Sequence, residues 1–415
     1  MKDVLTILLA GGAGERLLPL TSSIAKPAVP FGGHYRIVDF TLSNIVNSGL
    51  RRILVMTQYK SLVLHRHLRE GWNIFGRELG EYLEILPPMK RIHSDWYLGT
   101  ADAVYQNIES IEQDQPEMVL ILSGDHIYKM DYQEMMDWHR SAGAAATIAT
   151  IQVPASEASR FGVLDINPGT LLCQGFEEKP AHGNPCPSAF NPAMVSASMG
   201  IYLFRTSVLL DALRADAADP DSTHDFGHDV LPRLIGACPV AAYDFHDLND
   251  KTALYWRDVG TLDAYFEANM DLVSVNPEFN LYDARWPVRT RMPQSPPAKF
   301  VFAQEGRRMG VATDSIVSPG VIISGGRVSR SVLSPGVRVN SYCEIENSIL
   351  LPGATVGRYA RISNAIVDSG VHIEEGAVVG SDFEASRDSG YLVTEGGVVV
   401  VGNPDTERYG SEPAG

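Results

Sequence analysis

The chain has 415 residues, 45% of them apolar, and its 50 acidic residues outnumber its 34 basic ones to give a formal net charge of −16. That length is too great for one ordinary domain, so two or three domains are expected. An acidic surface repels nucleic acids and anionic lipids, which excludes both as general partners. An anionic substrate would therefore need a local cluster of arginine, lysine and backbone N–H groups.

The amino-terminal sequence MKDVLTILLAGG could be taken for a signal peptide. However, Asp3 interrupts the basic region, and the apolar run ends at glycines after roughly seven residues. We interpret it as a buried first strand. No stretch approaches the ~18 apolar residues of a membrane span. The cysteines are far apart and form no CxxC pair, which favours a reducing cytoplasm over a disulfide framework: Cys173, Cys186, Cys238 and Cys343.

Strand and helix patterns alternate in the first part of the chain, beginning with the continuous apolar run 4–9. The next segments are predicted, in order, as helix, strand, helix, strand and helix: 38–47, 53–57, 62–68, 119–122 and 131–140. Strands separated by helices predict a mostly parallel sheet, and ligands of such sheets bind beyond the carboxyl ends of the strands. Three of those ends carry glycine or polar residues, which predicts one shared site: 11–16, 58–60 and 123–126.

A different pattern follows a proline-rich stretch. Small or apolar residues recur every six positions, as in Val337, Cys343 and Ile349, with glycine and proline between the runs. This period indicates a hexapeptide β-helix rather than ordinary hairpins. The predicted domains are a catalytic domain, a linker, a β-helix and a frayed polar tail: 1–285, 286–310, 311–402 and 403–415.

The first predicted strand runs into the glycine-rich stretch LLAGGAGERLLPLT, residues 8–21. It lacks the Lys-Ser/Thr pair of a Walker A loop, and Leu17 stands where a Rossmann fingerprint has its third glycine. Glycine content alone fits a tight turn as well as a phosphate-binding loop. A loop without Cβ atoms can nevertheless close around phosphate oxygens and point its N–H groups at them. Arg16 and Lys26 add positive charge close by in the sequence.

The glycine loop is followed, in order, by AKPAV, FGG, RIVDF, LSN, GTADA, SGDHIY, EKP, SMGIY, HDFG and YWRDVGT, at 25–29, 31–33, 36–40, 42–44, 99–103, 123–128, 178–180, 198–202, 224–227 and 255–261. Over almost its whole length the chain thus resembles the ADP-glucose pyrophosphorylases (glucose-1-phosphate adenylyltransferases) of bacterial glycogen synthesis. The resemblance implies an α/β fold: a nucleotidyltransferase domain with a Rossmann-like, mostly parallel sheet, followed by a left-handed parallel β-helix. It also implies adenylyl transfer from ATP to glucose 1-phosphate, the regulated step of glycogen or α-glucan synthesis, with ADP-glucose and pyrophosphate as products.

The same resemblance implies which residues bind ATP. Arg16 and Lys26 would hold the β- and γ-phosphates, and with Asp125 they are the expected catalytic residues. Trp96 and Tyr97 fit either stacking on the nucleotide or packing in the core. The full set expected at the nucleotide is Leu9, Ala10, Gly11, Gly12, Gly14, Arg16, Lys26, Gln58, Tyr97, Gly99, Thr100 and Asp102.

Asp125 and Asp258 lie at predicted turns beside glycines. From spacing alone, each fits a helix N-cap as well as a metal ligand. The resemblance favours the second role, since Mg²⁺ is commonly bound by one or two carboxylates together with water and substrate phosphates. We therefore expect Asp125 and Asp258 to hold Mg²⁺ as the cofactor.

On the sugar side, the resemblance assigns Lys179 to the phosphate of glucose 1-phosphate and Glu178 to sugar hydroxyls. The alternative is a solvated ion pair, the usual role of such neighbours. The residues expected around the sugar phosphate are Gly162, Glu178, Lys179, Ser198, Tyr202, Asp225 and Trp256.

His224 and His228 have the spacing of a zinc-binding helix, but Gly227 weakens a helix there and Asp225 replaces the usual glutamate, so we do not interpret them as ligands. The family more often has lysine at position 228.

Family members are commonly homotetramers, and basic residues between their two domains bind anionic metabolites that regulate them. Many bacterial members carry lysine or arginine where this chain has Ser23 and Ile24. The remaining candidate effector ligands are Arg36, Arg358 and Arg361. We therefore expect weak or altered activation by fructose 1,6-bisphosphate.

Two alternatives to this function remain open. One is a related pyrophosphorylase that uses UTP or dTTP with the same sugar phosphate. The other is a non-catalytic regulatory subunit, whose mark would be degraded catalytic positions. Against the second, the expected catalytic and phosphate-binding positions are all intact: Arg16, Lys26, Asp125 and Lys179.

Overall fold

A computed structural model describes residues 3–88, 96–180, 185–249, 254–292, 294–304 and 308–404. Residues 405–415 of the predicted tail, and 293 and 305–307 of the predicted linker, lie outside this set. Among the described residues, no helix combines the length and the apolar character needed to cross a membrane.

Within the described residues, the amino-terminal part contains thirteen strands and eight α-helices. The strands are β1 (Val4–Ala10), β2 (Pro30–Phe31), β3 (Tyr35–Arg36), β4 (Arg52–Thr57), β5 (Tyr82–Leu86), β6 (Met118–Ser123), β7 (His126–Tyr128), β8 (Ala146–Pro154), β9 (Gly162–Ile166), β10 (Cys173–Glu178), β11 (Met194–Arg205), β12 (Val240–Asp244) and β13 (Trp256–Asp258). The helices are α1 (Ile37–Asn47), α2 (Leu62–Gly71), α3 (Thr100–Tyr105), α4 (Ile108–Asp114), α5 (Tyr132–Ser141), α6 (Thr206–Ala217), α7 (Leu231–Ala237) and α8 (Leu262–Asp271).

The central sheet has the strand order β10-β9-β11-β6-β1-β4-β5, with β8 and β12 attached through β11. β1 pairs parallel with β4 and β6, and β4 with β5. The apolar runs predicted β1, β4 and β6, whereas β5 was not among the predicted strands. The prediction of a mostly parallel sheet needs one refinement, because β11 runs antiparallel to its neighbours β6, β8 and β9. This antiparallel half carries most of the residues expected on the sugar side.

The parallel strands are buried on both faces. Along β1, Val4 and Leu8 pack into one apolar cluster, whereas Leu5 and Ile7 pack into another on the opposite face. β6 divides its side chains between the same two clusters. Alternate side chains of a strand point to opposite faces, so a strand covered on both sides needs an unbroken apolar run.

The carboxyl-terminal part is a parallel β-helix of hexapeptide repeats, which confirms the prediction from the six-residue period. Its strands are β14 (Lys299–Val301), β15 (Ala303–Gln304), β16 (Arg308–Met309), β17 (Val311–Thr313), β18 (Ile316–Val317), β19 (Ile322–Ser324), β20 (Arg327–Ser329), β21 (Val332–Leu333), β22 (Arg338–Val339), β23 (Glu344–Leu350), β24 (Thr355–Val356), β25 (Arg361–Val367), β26 (His372–Ile373), β27 (Val378–Val379), β28 (Leu392–Val393) and β29 (Val399–Val401). One helix, α9 (Phe383–Asp388), interrupts it.

Successive coils pair in parallel, so that Ile345 lies beside Ile362 and Ile349 beside Ile366. Val337 and Cys343 of the six-residue series lie in the interior, where they are at most 1% exposed, whereas Ile349 belongs to the cluster that the β-helix shares with α8. β14, which lies inside the segment predicted as a linker, pairs parallel with β19 of this sheet.

The two parts share an apolar core. Leu262 and Tyr265 of α8 belong to the same buried cluster as Val332, Ile349 and Ile366 of the β-helix. Since α8 begins just after β13, the segment that carries Asp258 leads directly into the junction between the domains.

Asp368 lies buried in this junction region, with its carboxylate accepting the Ser369 N–H at 2.6 Å. Burial raises its pKa from 3.8 to about 6, although backbone hydrogen bonds oppose the shift. A carboxyl group with a raised pKa in the folded state binds protons more tightly there than in the unfolded chain. Its ionisation therefore destabilises the fold as the pH rises through about 6.

Asp368→Asn removes this cost and is expected to raise the free energy of unfolding at pH 8 by about 2–3 kcal/mol. The gain should fall to about half at pH 5 and disappear below about pH 4, where the aspartate is protonated in both states. Urea unfolding at the three pH values measures it. The control is Asp137→Asn, since Asp137 is 74% exposed. An equal gain at every pH would contradict the interpretation.

Candidate active site

The glycine-rich turn follows β1 at the carboxyl edge of the parallel strands. Gly14 has a φ of +70°, and a Cβ added there would lie 2.8 Å from Cβ of Lys26 and 3.0 Å from Cγ2 of Thr21. At Gly12, in contrast, an added Cβ would meet no atom within 4 Å. The turn is thus closed against Lys26 on one side and open on the other, a shape that suits a phosphate-binding loop.

A short strand pair brings together two aspartates that are distant in the sequence. Asp125 follows β6 directly after Gly124, whose N–H donates to the Leu9 carbonyl oxygen at 3.0 Å. β7 and β13 then pair antiparallel, and His126 lies opposite Asp258 in that pairing. Both carboxylates therefore lie just beyond the central strands.

The ammonium group of Lys26 lies between these carboxylates. Its Nζ donates to Oδ2 of Asp125 at 2.8 Å and to Oδ1 of Asp258 at 3.0 Å. Burial alone would lower the pKa of Lys26, but the two aspartates outweigh burial and raise it. Burial alone would raise the pKa of each aspartate, but Lys26 and then His126 lower both below the usual value. All three groups of this ion triad (Asp125, Lys26 and Asp258) are therefore charged at neutral pH.

Three further basic side chains surround the ion triad. His126 Nδ1 lies 3.6 Å from Oδ1 of Asp125. Arg16 and Arg160 each place a guanidinium nitrogen 4.0 Å from Oδ2 of Asp258. The motifs pointed to Arg16 but not to the other two. His126 adjoins Asp125 within SGDHIY and could have been found, whereas Arg160 lies outside every motif quoted above.

Asp125, His126 and Asp258 offer donors for a divalent cation. One ligand atom of each lies within 4.8 Å of the others, and they form the one such group of three in the described part of the chain. The position of the Lys26 ammonium shows that the two carboxylates converge on a cation. Carboxylate oxygens suit Mg²⁺, so these residues fit a magnesium site.

A cavity of about 360 Å³ opens beside Lys26. The glycine turn, the ends of β4 and β6, and the beginning of α3 form its walls. Nine residues expected at the nucleotide line it together: Leu9, Ala10, Gly11, Gly12, Lys26, Gln58, Tyr97, Gly99 and Thr100. The shared site that the sequence predicted at the strand ends is therefore a single concave space.

Gly14, Arg16 and Asp102 were expected at the nucleotide but do not line this cavity. Asp102 is buried, and its carboxylate accepts the Leu98 N–H at 2.8 Å and the Gln106 amide at 2.7 Å. It therefore supports the turn that leads into α3. Arg16 points towards Asp258 and is 66% exposed.

Tyr97 is packed in the interior and also lines the cavity. It is 8% exposed, and its hydroxyl accepts a hydrogen bond from the Asn107 side chain at 3.0 Å, so it belongs to the packed interior. It also lines the cavity, where its carbonyl oxygen accepts the Gln58 amide at 3.3 Å. Trp96 is 57% exposed and is not part of the lining.

The nucleotide side and the sugar side meet where α3 begins. A Cβ on Gly99 would lie 2.3 Å from the His224 carbonyl oxygen, so only glycine permits this close approach. Thr100 Oγ1 donates to Oδ2 of Asp225 at 2.9 Å. The other oxygen of Asp225 accepts two backbone N–H groups at the start of the π-helical turn Phe226–Val230. Asp225 thus joins the two sides and lines the cavity itself.

Glu178 and Lys179 lie at the end of β10. A Cβ on Gly162 would lie 2.8 Å from Oε2 of Glu178, and a Cβ on Gly227 would lie 2.5 Å from the same atom. The Glu178 carboxylate is thus held in a gap that two glycines leave open. Lys179 pairs with Glu178 at 2.7 Å, but its side chain is 63% exposed and accessible to a ligand.

Tyr202 and Ser198 flank an irregularity in β11, with their side-chain oxygens 3.5 Å apart. Burial raises the pKa of Tyr202; the hydrogen bond with Ser198 opposes the shift, and the negative charges of Glu178 and Asp225 add to it. Trp256 is 6% exposed, and its Nε1 has no hydrogen-bond partner among the described residues. Trp256 packs instead against the rings of His126 and Phe161.

His224 and His228 take different partners. His224 Nδ1 lies 2.9 Å from Oδ2 of Asp216, and His228 Nδ1 lies 3.0 Å from Oδ1 of Asp229. The hydrogen bond to Asp229 raises the pKa of His228. Each histidine is thus oriented by its own carboxylate rather than towards a common ion.

The three arginines expected at an effector site are not together. Arg36 lines a cavity of about 160 Å³ at the domain junction, with His34, His67 and Arg291, and with Pro335 and Pro352 of the β-helix. Burial lowers the pKa of Arg36, although Asp39 opposes this. Arg358 instead packs over the rings of Tyr342 and Tyr359, and Arg361 pairs with Glu344 at 3.5 Å.

Two family models match the chain. The nucleotidyl transferase model covers residues 5–275, which includes both aspartates, and the GlmU-like C-terminal hexapeptide model covers residues 296–401. The second match begins within the segment predicted as a linker.

Several curated relatives match over nearly the whole chain. A glucose-1-phosphate adenylyltransferase of Koribacter versatilis is 58% identical, over 97% of this chain and 95% of its own. The enzyme of the same name from Rhodopirellula baltica is 52% identical, over 97% and 90%. That of a Parafrankia species is 50% identical, over 96% and 97%.

Gly14→Ala is expected to lower the free energy of unfolding by about 2 kcal/mol, because alanine is strained at positive φ and its methyl would collide with Lys26. Urea unfolding measures the change. Gly12→Ala is the matched control: its methyl enters open space, so stability should stay within about 0.5 kcal/mol. Equal stability of the two variants would show that the turn is not closed against Lys26.

Proposed function

We propose that this chain, which belongs to the nucleotidyl transferase family and within it to the glucose-1-phosphate adenylyltransferases, transfers the adenylyl group of ATP to glucose 1-phosphate. The products are ADP-glucose and pyrophosphate. The observation that carries the proposal is the ion triad, two of whose members, Lys26 and Asp125, line a cavity walled by a glycine turn.

The nucleotide binds in this cavity. Gly11 and Gly12 present bare backbone to its interior, and backbone N–H groups without a Cβ nearby can approach phosphate oxygens closely. Lys26 lies on the buried side of Asp258, and Arg16 lies on its exposed side. Both bind the phosphates that leave as pyrophosphate. In a protein with a net charge of −16, this local cluster of basic groups supplies the attraction that an anionic nucleotide needs.

Asp125 and Asp258 hold Mg²⁺, with His126 close enough to contribute. When bound, the ion neutralises phosphate charge and orients the triphosphate. The residues around it complete that task, because Lys26, Arg16 and Arg160 bring further positive charge to the same point.

The acceptor is the phosphate of glucose 1-phosphate, which is already anionic and needs no general base. Lys179 binds that phosphate, and Glu178 accepts hydrogen bonds from sugar hydroxyls in the gap beside Gly162 and Gly227. Catalysis then consists of holding the phosphate of glucose 1-phosphate in line with the α-phosphate of ATP and neutralising the charge of both.

Pyrophosphate release assayed with ATP, UTP and dTTP in the presence of glucose 1-phosphate tests the function. We expect ATP to be strongly preferred and Asp125→Asn to lower kcat by at least ~10²–10³-fold, since it removes a central charge. Asp137→Asn, an exposed aspartate on α5, is the control. Equal use of UTP or dTTP would favour the related pyrophosphorylases, and near-normal turnover of Asp125→Asn at saturating Mg²⁺ would refute its role.

Lys179→Ala is expected to raise the KM for glucose 1-phosphate by about 10–100-fold, the effect of losing one charge-assisted hydrogen bond, with a much smaller change in the KM for ATP. Steady-state kinetics with each substrate varied in turn measures both. Lys299→Ala, an exposed lysine of β14, should change neither. Equal increases for the two substrates would argue against the assignment.

Anionic metabolites regulate the enzyme from the cavity that Arg36 and Arg291 line at the domain junction. The active assembly is a homotetramer in the cytoplasm. Arg358 and Arg361 are engaged elsewhere on the β-helix, so Arg36 is the stronger of the three candidates. Light scattering on the purified protein tests the assembly.

Activation curves with fructose 1,6-bisphosphate, fructose 6-phosphate, pyruvate and AMP test the regulation. We expect weak or altered activation by the bisphosphate, because Ser23 and Ile24 bring no positive charge to the region before AKPAV. Strong activation by the bisphosphate would contradict this expectation.

A further inference from the structure

The ammonium of Lys26 lies where the two metal-binding carboxylates converge. We propose that Lys26 occupies the metal position in the free enzyme and leaves it for the phosphates when nucleotide and metal enter together. Lys26 would then act twice: first as the counter-cation of the aspartates and afterwards as a phosphate ligand. The inference rests on the proposed function, because it takes the cation to be Mg²⁺ and the anion to be a nucleoside triphosphate.

Lys26 and a divalent ion cannot occupy this position at once. The ammonium lies 2.8 Å from Oδ2 of Asp125 and 3.0 Å from Oδ1 of Asp258. Mg²⁺ bonds carboxylate oxygens at about 2.1 Å, so an ion on the same two oxygens would lie almost in contact with the ammonium. Metal binding between the aspartates therefore requires the Lys26 head group to move.

Only the outer end of the Lys26 side chain is free to move. Its Cβ is packed against the turn at Gly14, where no further carbon would fit, and Pro27 follows it in the 3₁₀ turn Lys26–Ala28. The side chain lines the cavity together with Gly11 and Gly12. The open direction for the ammonium is thus towards the space in which the nucleotide phosphates bind.

The surrounding charges make this displacement unfavourable unless an anion arrives. Lys26 has 8% of its side chain exposed, and an ammonium that leaves both carboxylates inside the protein loses its compensation. Arg16 and Arg160 already lie 4.0 Å from Asp258. A divalent ion alone would add two further positive charges to this cluster, whereas a triphosphate supplies the missing negative charge.

The free enzyme should therefore bind metal ions weakly, and Lys26 is the cause. Metal that arrives together with the nucleotide is thereby favoured over free metal ions. Between turnovers, Lys26 keeps the two carboxylates paired. If the Lys26 ammonium lay away from both aspartates in the free enzyme, its removal would leave the metal affinity close to that of the wild type.

Mn²⁺ serves as the probe, because its binding to the nucleotide-free enzyme can be followed by electron paramagnetic resonance without any turnover. Lys26→Met keeps the length of the side chain and removes the charge. We expect it to lower the Kd for Mn²⁺ by at least about tenfold at pH 8, the factor given by the loss of one competing charge-assisted hydrogen bond. The matched control is Lys179→Met, because the Lys179 ammonium pairs with Glu178 and touches neither aspartate. The Kd of this variant for Mn²⁺ should equal that of the wild type.

An unchanged or higher Kd for Mn²⁺ in a folded Lys26→Met protein would overturn the proposal, and so would an equal decrease in Lys179→Met. Lys26→Gln provides a second neutral side chain if the methionine variant does not fold, with circular dichroism as the check on folding. Measuring ADP-glucose synthesis by the wild type distinguishes a failure of this inference from a failure of the proposed function. Synthesis of ADP-glucose with no effect of Lys26 on Mn²⁺ would remove the inference alone, whereas absence of synthesis would remove the function and leave the binding result standing.

Discussion

The contact between the Lys26 ammonium and the carboxylates of Asp125 and Asp258 ties together three distant parts of the chain. Two carboxylates this close repel each other, and in the free enzyme the repulsion is offset by the lysine. The contact orders the end of β6, the glycine turn and β13 around one point. The converging carboxylates and the glycine turn consequently adjoin one another.

Close backbone packing gives the cavity its shape. Gly99 lets α3 begin directly against the His224 carbonyl, and Gly162 and Gly227 leave room for the Glu178 carboxylate. In each case a Cβ would lie closer to a neighbouring atom than real contacts allow. These glycines belong to segments that are far apart in the sequence, yet they set the distance between the nucleotide side and the sugar side.

The domain junction is connected to the same point. Asp258 ends β13, and α8 begins four residues later, with Leu262 and Tyr265 in one buried cluster with Ile349 and Ile366 of the β-helix. Asp263 on α8 also accepts the Thr394 hydroxyl hydrogen from the β-helix. The few residues between β13 and α8 therefore connect the Asp258 carboxylate to the contact with the β-helix.

Much of this was determined by the sequence. Continuous apolar runs identified the doubly covered strands, the six-residue period identified the β-helix, and the ordered motifs indicated the family. These patterns depend on local periodicity and on residue type. The tertiary structure alone decided the position of Lys26 between the aspartates and the approach of Arg160 to Asp258. It also decided the supporting role of Asp102 and the separation of Arg36 from Arg358 and Arg361. They depend on strand pairing and on chain crossings between residues far apart in sequence, and no local pattern records which distant groups the fold will place within a few ångströms of each other.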